Sequence, residues 1–94
     1  MNIVKVPGSD RRHKVFVYAL STCAWCKKTK RFLEEHNIEF EYVDVDRCTQ
    51  EEMAEIMGEL ERRKVPMSLP LIIIDEKIQI TGFKEDQLKE ALGV

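Results

Sequence analysis

Long apolar stretches are missing from this sequence. The longest, Leu69 to Ile74, runs six residues, far short of the roughly 20 that a bilayer-crossing helix needs. A secretory leader pattern is missing too, because Lys5, Asp10, Arg11, Arg12 and Lys14 interrupt the start. Charge of one sign is not in excess: 15 basic and 17 acidic residues leave a net −2, which excludes a broad basic surface for nucleic acid or anionic membrane. Cysteines number three, too few and too odd for a secreted disulfide scaffold. There is no second C-x-x-C and no H-x-x-x-H, so a four-ligand structural zinc site is not assembled, and no metal or other cofactor is expected. Repeats, low-complexity tracts and internal linkers are absent. The expectation is a soluble protein of a reducing compartment, the cytoplasm, with neither nucleic-acid nor membrane partners.

What is present fits one small domain. The chain has 94 residues, 44% apolar and 34% charged, a globular balance. A domain of this size buries only about 60–65% of its unfolded surface, so an active site should be shallow. Residues 1–13 read as an extension, with Ile3–Val6 ahead of Pro7-Gly8 as a short added strand and turn. Residues 14–94 read as the domain. Lys14–Leu20 is apolar and β-branched, a buried strand. Ser21 and Thr22, both good N-cap types, precede a helix over 23–36 that ends near Asn37. A second strand spans 39–46. Thr49 and Glu52 form a capping-box pattern, followed by Met53, Ile56, Met57 and Leu60 on one apolar helical stripe. Strands at 71–74 and 78–81 flank an Asp75-Glu76-Lys77 turn, and a last helix covers about 84–92 with Leu88, Ala91 and Leu92 inward. The order β-α-β-α-β-β-α predicts an α/β fold: a central four-stranded mixed sheet, a right-handed first crossover and helices on both faces.

The chemistry centres on Cys23-Ala24-Trp25-Cys26. Cys23 falls where a buried strand gives way to a helix. Free N–H groups and the helix dipole stabilise a thiolate there. Thr22 and Lys27 are expected to assist, with Lys28 adding charge nearby. Cys26, one helical turn on, is placed to attack a mixed disulfide formed at Cys23. C-x-x-C alone is moderately specific; opening a helix after a strand in a β-α-β unit, it reads as a redox motif. If the third strand runs antiparallel to the first, Pro70 and Gly82-Phe83 come to the same sheet end as Cys23. An iron–sulfur cluster shared between two protomers stays open as a second reading.

The run Val15 to Asp46 with Cys23-Ala24-Trp25-Cys26-Lys27-Lys28, then Ser68-Leu69-Pro70 before an apolar strand, then Gly82, resembles a glutaredoxin over residues 14–93. The resemblance implies a thioredoxin fold, an antiparallel third strand and a cis Leu69–Pro70 bond. Leu69 backbone would then be free to pair with a bound peptide or thiol, and Trp25, Leu69, Pro70, Gly82 and Phe83 would contact substrate. The implied activity is thiol–disulfide exchange on protein disulfides by a monomer. The sequence departs from the best-known glutaredoxins. Ala19, Leu20 and Ser21 stand where they carry a lysine, and Gly82-Phe83-Lys84-Glu85-Asp86 where they carry Gly-Gly-x-Asp. These departures favour a protein donor, a thioredoxin reductase or a ferredoxin-dependent disulfide reductase, with glutathione as the alternative.

The remaining candidates read more plainly. Cys48 is expected at the active-site end of the second strand, as an incidental thiol or an alternative resolver. His13 and His36 read as surface residues without partners at catalytic spacing, and Arg62-Arg63-Lys64 as a solvated helix end, with steering of an acidic reductase or ferredoxin-like partner as the alternative.

Overall fold

A computed structural model describes residues 2–94. Its elements are β1 (Val4–Val6), β2 (Val15–Ala19), α1 (Ala24–Glu35), β3 (Phe40–Asp44), a 3-10 turn (Val45–Arg47), α2 (Gln50–Arg62), β4 (Leu71–Ile74), β5 (Ile78–Thr81) and α3 (Glu85–Leu92). The sheet order is β1-β3-β2-β4-β5. The β2–β3 pair is parallel; β1–β3, β2–β4 and β4–β5 are antiparallel. The fold is the mixed α/β thioredoxin type, with a fifth strand supplied by the N-terminal segment.

Side-chain alternation on β2 divides the core. Val15, Val17 and Ala19 face one side, where α1 contributes Cys26, Phe32 and Leu33 and α3 contributes Leu88 and Leu92. Tyr18 faces the other, with Ile56 and Leu60 of α2. Because β4 is covered on both faces, all four of its residues are buried. That is why it reads as an unbroken apolar run rather than an alternating one. Each such side chain removed from water contributes roughly 1.5–3 kcal/mol.

Several local features match the sequence reading. Asn37 takes a positive φ of 55°, and Ile38 N–H reaches back to Leu33 C=O at 2.9 Å to close α1. Thr49 and Glu52 form the capping box in full. Asp75 and Glu76, at φ 54° and 60°, turn β4 into β5 in the geometry that suits hairpin twist. The N-terminal segment is tied down beyond β1. Gly8 lies so close to the backbone of 37–39 that a Cβ would come within 2.6 Å of it, and Arg12 pairs with Asp10 and donates to Leu92 C=O.

Three expectations need correction. Met57 is 43% exposed, so the inner stripe of α2 is Met53, Ile56 and Leu60; thirteen residues of helix do not keep a fourth position under a narrow sheet. His13 is not partnerless: its Nδ1 lies 2.7 Å from Asp75 Oδ2. Arg63 is not simply solvated. It pairs with Glu59 and donates to Glu76 C=O at 2.9 Å, bridging α2 to the hairpin turn.

Candidate active site

The chain leaves β2 through a tight turn closed by Cys23 N–H on Leu20 C=O at 3.2 Å. Ser21 fastens this turn to the far side of the β2–β3 pair: its N–H donates to Asp46 at 2.9 Å and its hydroxyl to the other carboxylate oxygen. Parallel pairing brings the ends of β2 and β3 together, which is why residues 25 apart in sequence meet. Cys23 itself, with φ −83° and ψ 121°, is the N-cap of α1. Neither Ser21 nor Thr22 takes that place. The Cys23 sulfur accepts the Cys26 N–H at 3.2 Å, so a thiol does what a serine or aspartate oxygen ordinarily does.

The two thiols differ sharply. Cys23 is half-buried, whereas Cys26 is wholly buried in the core. Burial pushes the Cys23 thiol up, but hydrogen bonds from the Cys26 thiol and from the Cys26 and Trp25 amides, with the Lys30 charge, outweigh it and its pKa lies below the ordinary value. Cys26 is pushed up to about 11, by burial first and then by its hydrogen bond to Cys23. The lysine with the largest effect on both thiols is Lys30, held 3.0 Å from Asp44 and 3.9 Å above the Tyr42 ring. Lys27 is exposed on the outer side of α1, and Thr22 is exposed with no bond to Cys23. The arrangement offers one accessible, acidified thiol backed by one sequestered thiol a turn deeper, which suits sequential exchange rather than simultaneous attack.

Beside the motif lies an open cleft of about 230 Å³ lined by Trp25, Leu69, Pro70, Gly82, Phe83 and Lys84. The Leu69–Pro70 bond is cis, and Gly82 N–H donates to Pro70 C=O at 2.7 Å, joining the two loops. Gly82 sits at φ 82°, where a side chain would be strained. Trp25 is 57% exposed, stacks on Phe83 at 6.3 Å, and Phe83 in turn meets Phe32 edge-on. The structure thus gathers the five residues expected at a substrate surface and adds Lys84. Larger clefts exist, about 420 Å³ beside Cys48, about 270 Å³ between β5 and α3, and about 250 Å³ around His13 and Lys14. None of these includes a residue of the motif, so volume does not single out the site here; the thiol chemistry does.

Cys48 stands apart. It packs against the α2-side cluster, across the sheet from Cys26, and burial, followed by the Glu52 charge, raises its pKa. Among the described residues no three His, Cys, Asp or Glu side chains gather to hold a metal ion, and no helix is long and apolar enough to cross a membrane. Sequence reasoning missed the Ser21–Asp46 and Lys30–Asp44 pairs. Their signal was the parallel β2–β3 pairing, which sets both acidic residues opposite the start of α1.

Residues 15–78 match the Glutaredoxin family model. A glutaredoxin-like 8.6 kDa protein from the rubredoxin operon of Clostridium pasteurianum is 36% identical over 81% of this chain and 93% of its own. Glutaredoxin 1 of Rickettsia conorii is 35% identical over 67% of this chain; the match spans 59% of that longer protein. The crystal structure of the glutaredoxin from Methanosarcina mazei Go1 superposes with a TM-score of 0.84 at 42% identity, covering 100% of this chain and 90% of that one.

Proposed function

The chain belongs to the glutaredoxin family and is a thiol–disulfide oxidoreductase, and from this premise we propose that it reduces protein or mixed disulfides through a Cys23–Cys26 dithiol cycle. The Cys23 thiolate attacks one sulfur of the substrate disulfide. A Cys23–substrate bond forms, the substrate S–S bond breaks, and the departing thiolate takes a proton from solvent. Cys26 then loses its proton and attacks the Cys23 sulfur. The Cys23–Cys26 disulfide forms and the second substrate sulfur leaves, to be protonated in turn. The substrate gains two electrons and two protons, and an outside reductase returns two electrons to the chain.

The observation that carries this reading is the asymmetry of the two thiols: Cys23 capped by an amide and acidified, Cys26 buried with its pKa near 11. The asymmetry also times the second step. Part of what holds Cys26 protonated is the hydrogen bond and charge of Cys23. Both are lost once Cys23 is bound in a mixed disulfide, so Cys26 becomes a better nucleophile when it is needed. Trp25, Leu69, Pro70, Gly82 and Phe83 are assigned to holding the substrate chain in the cleft.

The electron donor we favour is a protein, a thioredoxin reductase or a ferredoxin-dependent disulfide reductase, acting on a monomer in the cytoplasm. Support comes from Ala19, Leu20 and Ser21 where the best-known glutaredoxins carry a lysine, and from the single Gly82 before Phe83. Cys23→Ser is expected to abolish reduction of insulin. Cys26→Ser should instead accumulate a covalent adduct at Cys23. Full activity of Cys23→Ser would refute the assignment. Offering glutathione with its reductase, then each protein reductase, tests the donor; fast turnover with glutathione would overturn the preference for a protein.

A further inference from the structure

The charges on α1 run against the helix dipole. A helix is stabilised by acidic groups in its first turn and basic groups in its last. α2 follows the rule with Glu51 and Glu52 first and Arg62 last, and α3 with Glu85 and Asp86 first and Lys89 last. α1 has no acidic residue in its first turn and no basic residue in its last. Lys27 and Lys28 lie in its first half, Lys30 and Arg31 near its middle, and Glu34 and Glu35 at its end. Lys27, Lys28 and Arg31 share one exposed face at helical spacing, where Lys27 and Arg31, four apart, repel. Among the described residues none of these three, nor Lys84, makes an ion pair, whereas Lys14, Lys30 and Lys89 each do.

This arrangement costs α1 stability, and the lysine whose charge acts most on Cys23 is the inward Lys30. Two of these unpaired cations stand at the cleft. Lys84 lines it, and Lys28 Nζ sits 4.6 Å from the centroid of the exposed Trp25 ring. Carboxylates near this end are mostly engaged: Asp44 with Lys30, Asp46 with Ser21, Glu85 with Lys89; Asp86 is the exception. The chain is net negative, and its excess lies elsewhere, on α2, which carries five acidic residues and one basic on the opposite face of the sheet. An apolar centre with a basic rim, on an otherwise acidic molecule, orients the site towards negative surfaces before contact.

We propose that Lys28 and Lys84 beside Trp25, extended by Lys27 and Arg31 on the same exposed face of α1 as Lys28, form the docking rim for an acidic partner protein, one whose reactive disulfide lies within a carboxylate-rich surface. This rests on the dithiol reading above and names the partner chemistry of the same site.

Two short cyclic peptides, identical except for glutamates or lysines flanking the bridge, test it. Closed by a thioether, they report binding alone through the fluorescence of Trp25, the only tryptophan. Closed by a disulfide, they report turnover. The glutamate peptide should bind about tenfold more tightly at low ionic strength. Its advantage should fade between about 0.01 M and about 1 M salt, as the screening length drops from about 30 Å to about 3 Å. Lys28→Glu with Arg31→Glu should invert the preference between the thioether-closed peptides. Equal binding of the two peptides at low salt, or a preference that survives the double reversal, would overturn the proposal. A glutamate peptide that binds yet is never reduced would uphold the rim and contradict the dithiol cycle instead.

Discussion

α1 and α2 lie on opposite faces of one sheet and are built to opposite ends. α2 opens with a complete Thr49–Glu52 capping box, places acidic residues in its first turn and an arginine in its last, and locks Arg63 to Glu59. α1 opens on a cysteine, places cations near its start and ends on glutamates. Local rules for helix stability explain α2 almost completely and fail for α1. The failure is informative, because two of the broken rules lie beside the redox pair: the cap is a thiol, and Lys27 and Lys28 stand a turn from it. Capping and dipole complementarity are kept on the face that does no chemistry.

Substitutions on α2 should therefore change stability without changing thiol chemistry. The largest effect is expected for Leu60→Ala, which empties a site 2% exposed and should cost about 2–5 kcal/mol in urea unfolding. Alkylation of Cys23 in the folded protein should keep its rate. Thr49→Ala removes the cap and should cost about 0.5–2 kcal/mol, again with Cys23 reactivity intact. The comparison breaks if either change alters that rate. Substitutions on α1 should do the reverse. Lys27→Glu with Glu35→Lys aligns the helix with its dipole and should raise stability, by about 0.3–1 kcal/mol per charge at low salt. The same variant should reduce acidic disulfides more slowly. Loss of stability there would mean that the α1 charges are structural after all.

The sequence carried the fold well wherever periodicity and caps agreed. Apolar β2 and β4, the Thr49–Glu52 box and the position of Asn37 each have a local cause that survives in the structure. The cysteine pair followed from its motif, and the gathering of Pro70 with Gly82-Phe83 followed once the glutaredoxin resemblance supplied an antiparallel third strand. Local pattern failed where a tertiary neighbour decided. Met57 keeps helical spacing but has no sheet above it. Ser21, a natural N-cap, is drawn off by Asp46, which leaves Cys23 to cap α1. Lys30 looked like its neighbours Lys27 and Lys28, yet Asp44 and Tyr42 of β3 turn it inward. His13 found Asp75 62 residues away. Each of these depends on strand register, which no single stretch of chain encodes.

The central claim is that the two thiols of one motif are held in opposite states, and site-resolved alkylation across pH measures this directly. The reduced chain is pulsed with iodoacetamide at each pH, and the label at Cys23 and Cys26 is read by mass spectrometry. Cys23 lies below the ordinary thiol value, so its labelling should persist to lower pH than that of an ordinary thiol and fall as pH drops through that lowered pKa. Cys26, near 11, should label only as pH climbs towards that value. Equal labelling of the two at neutral pH, or Cys26 reacting first, would contradict the account.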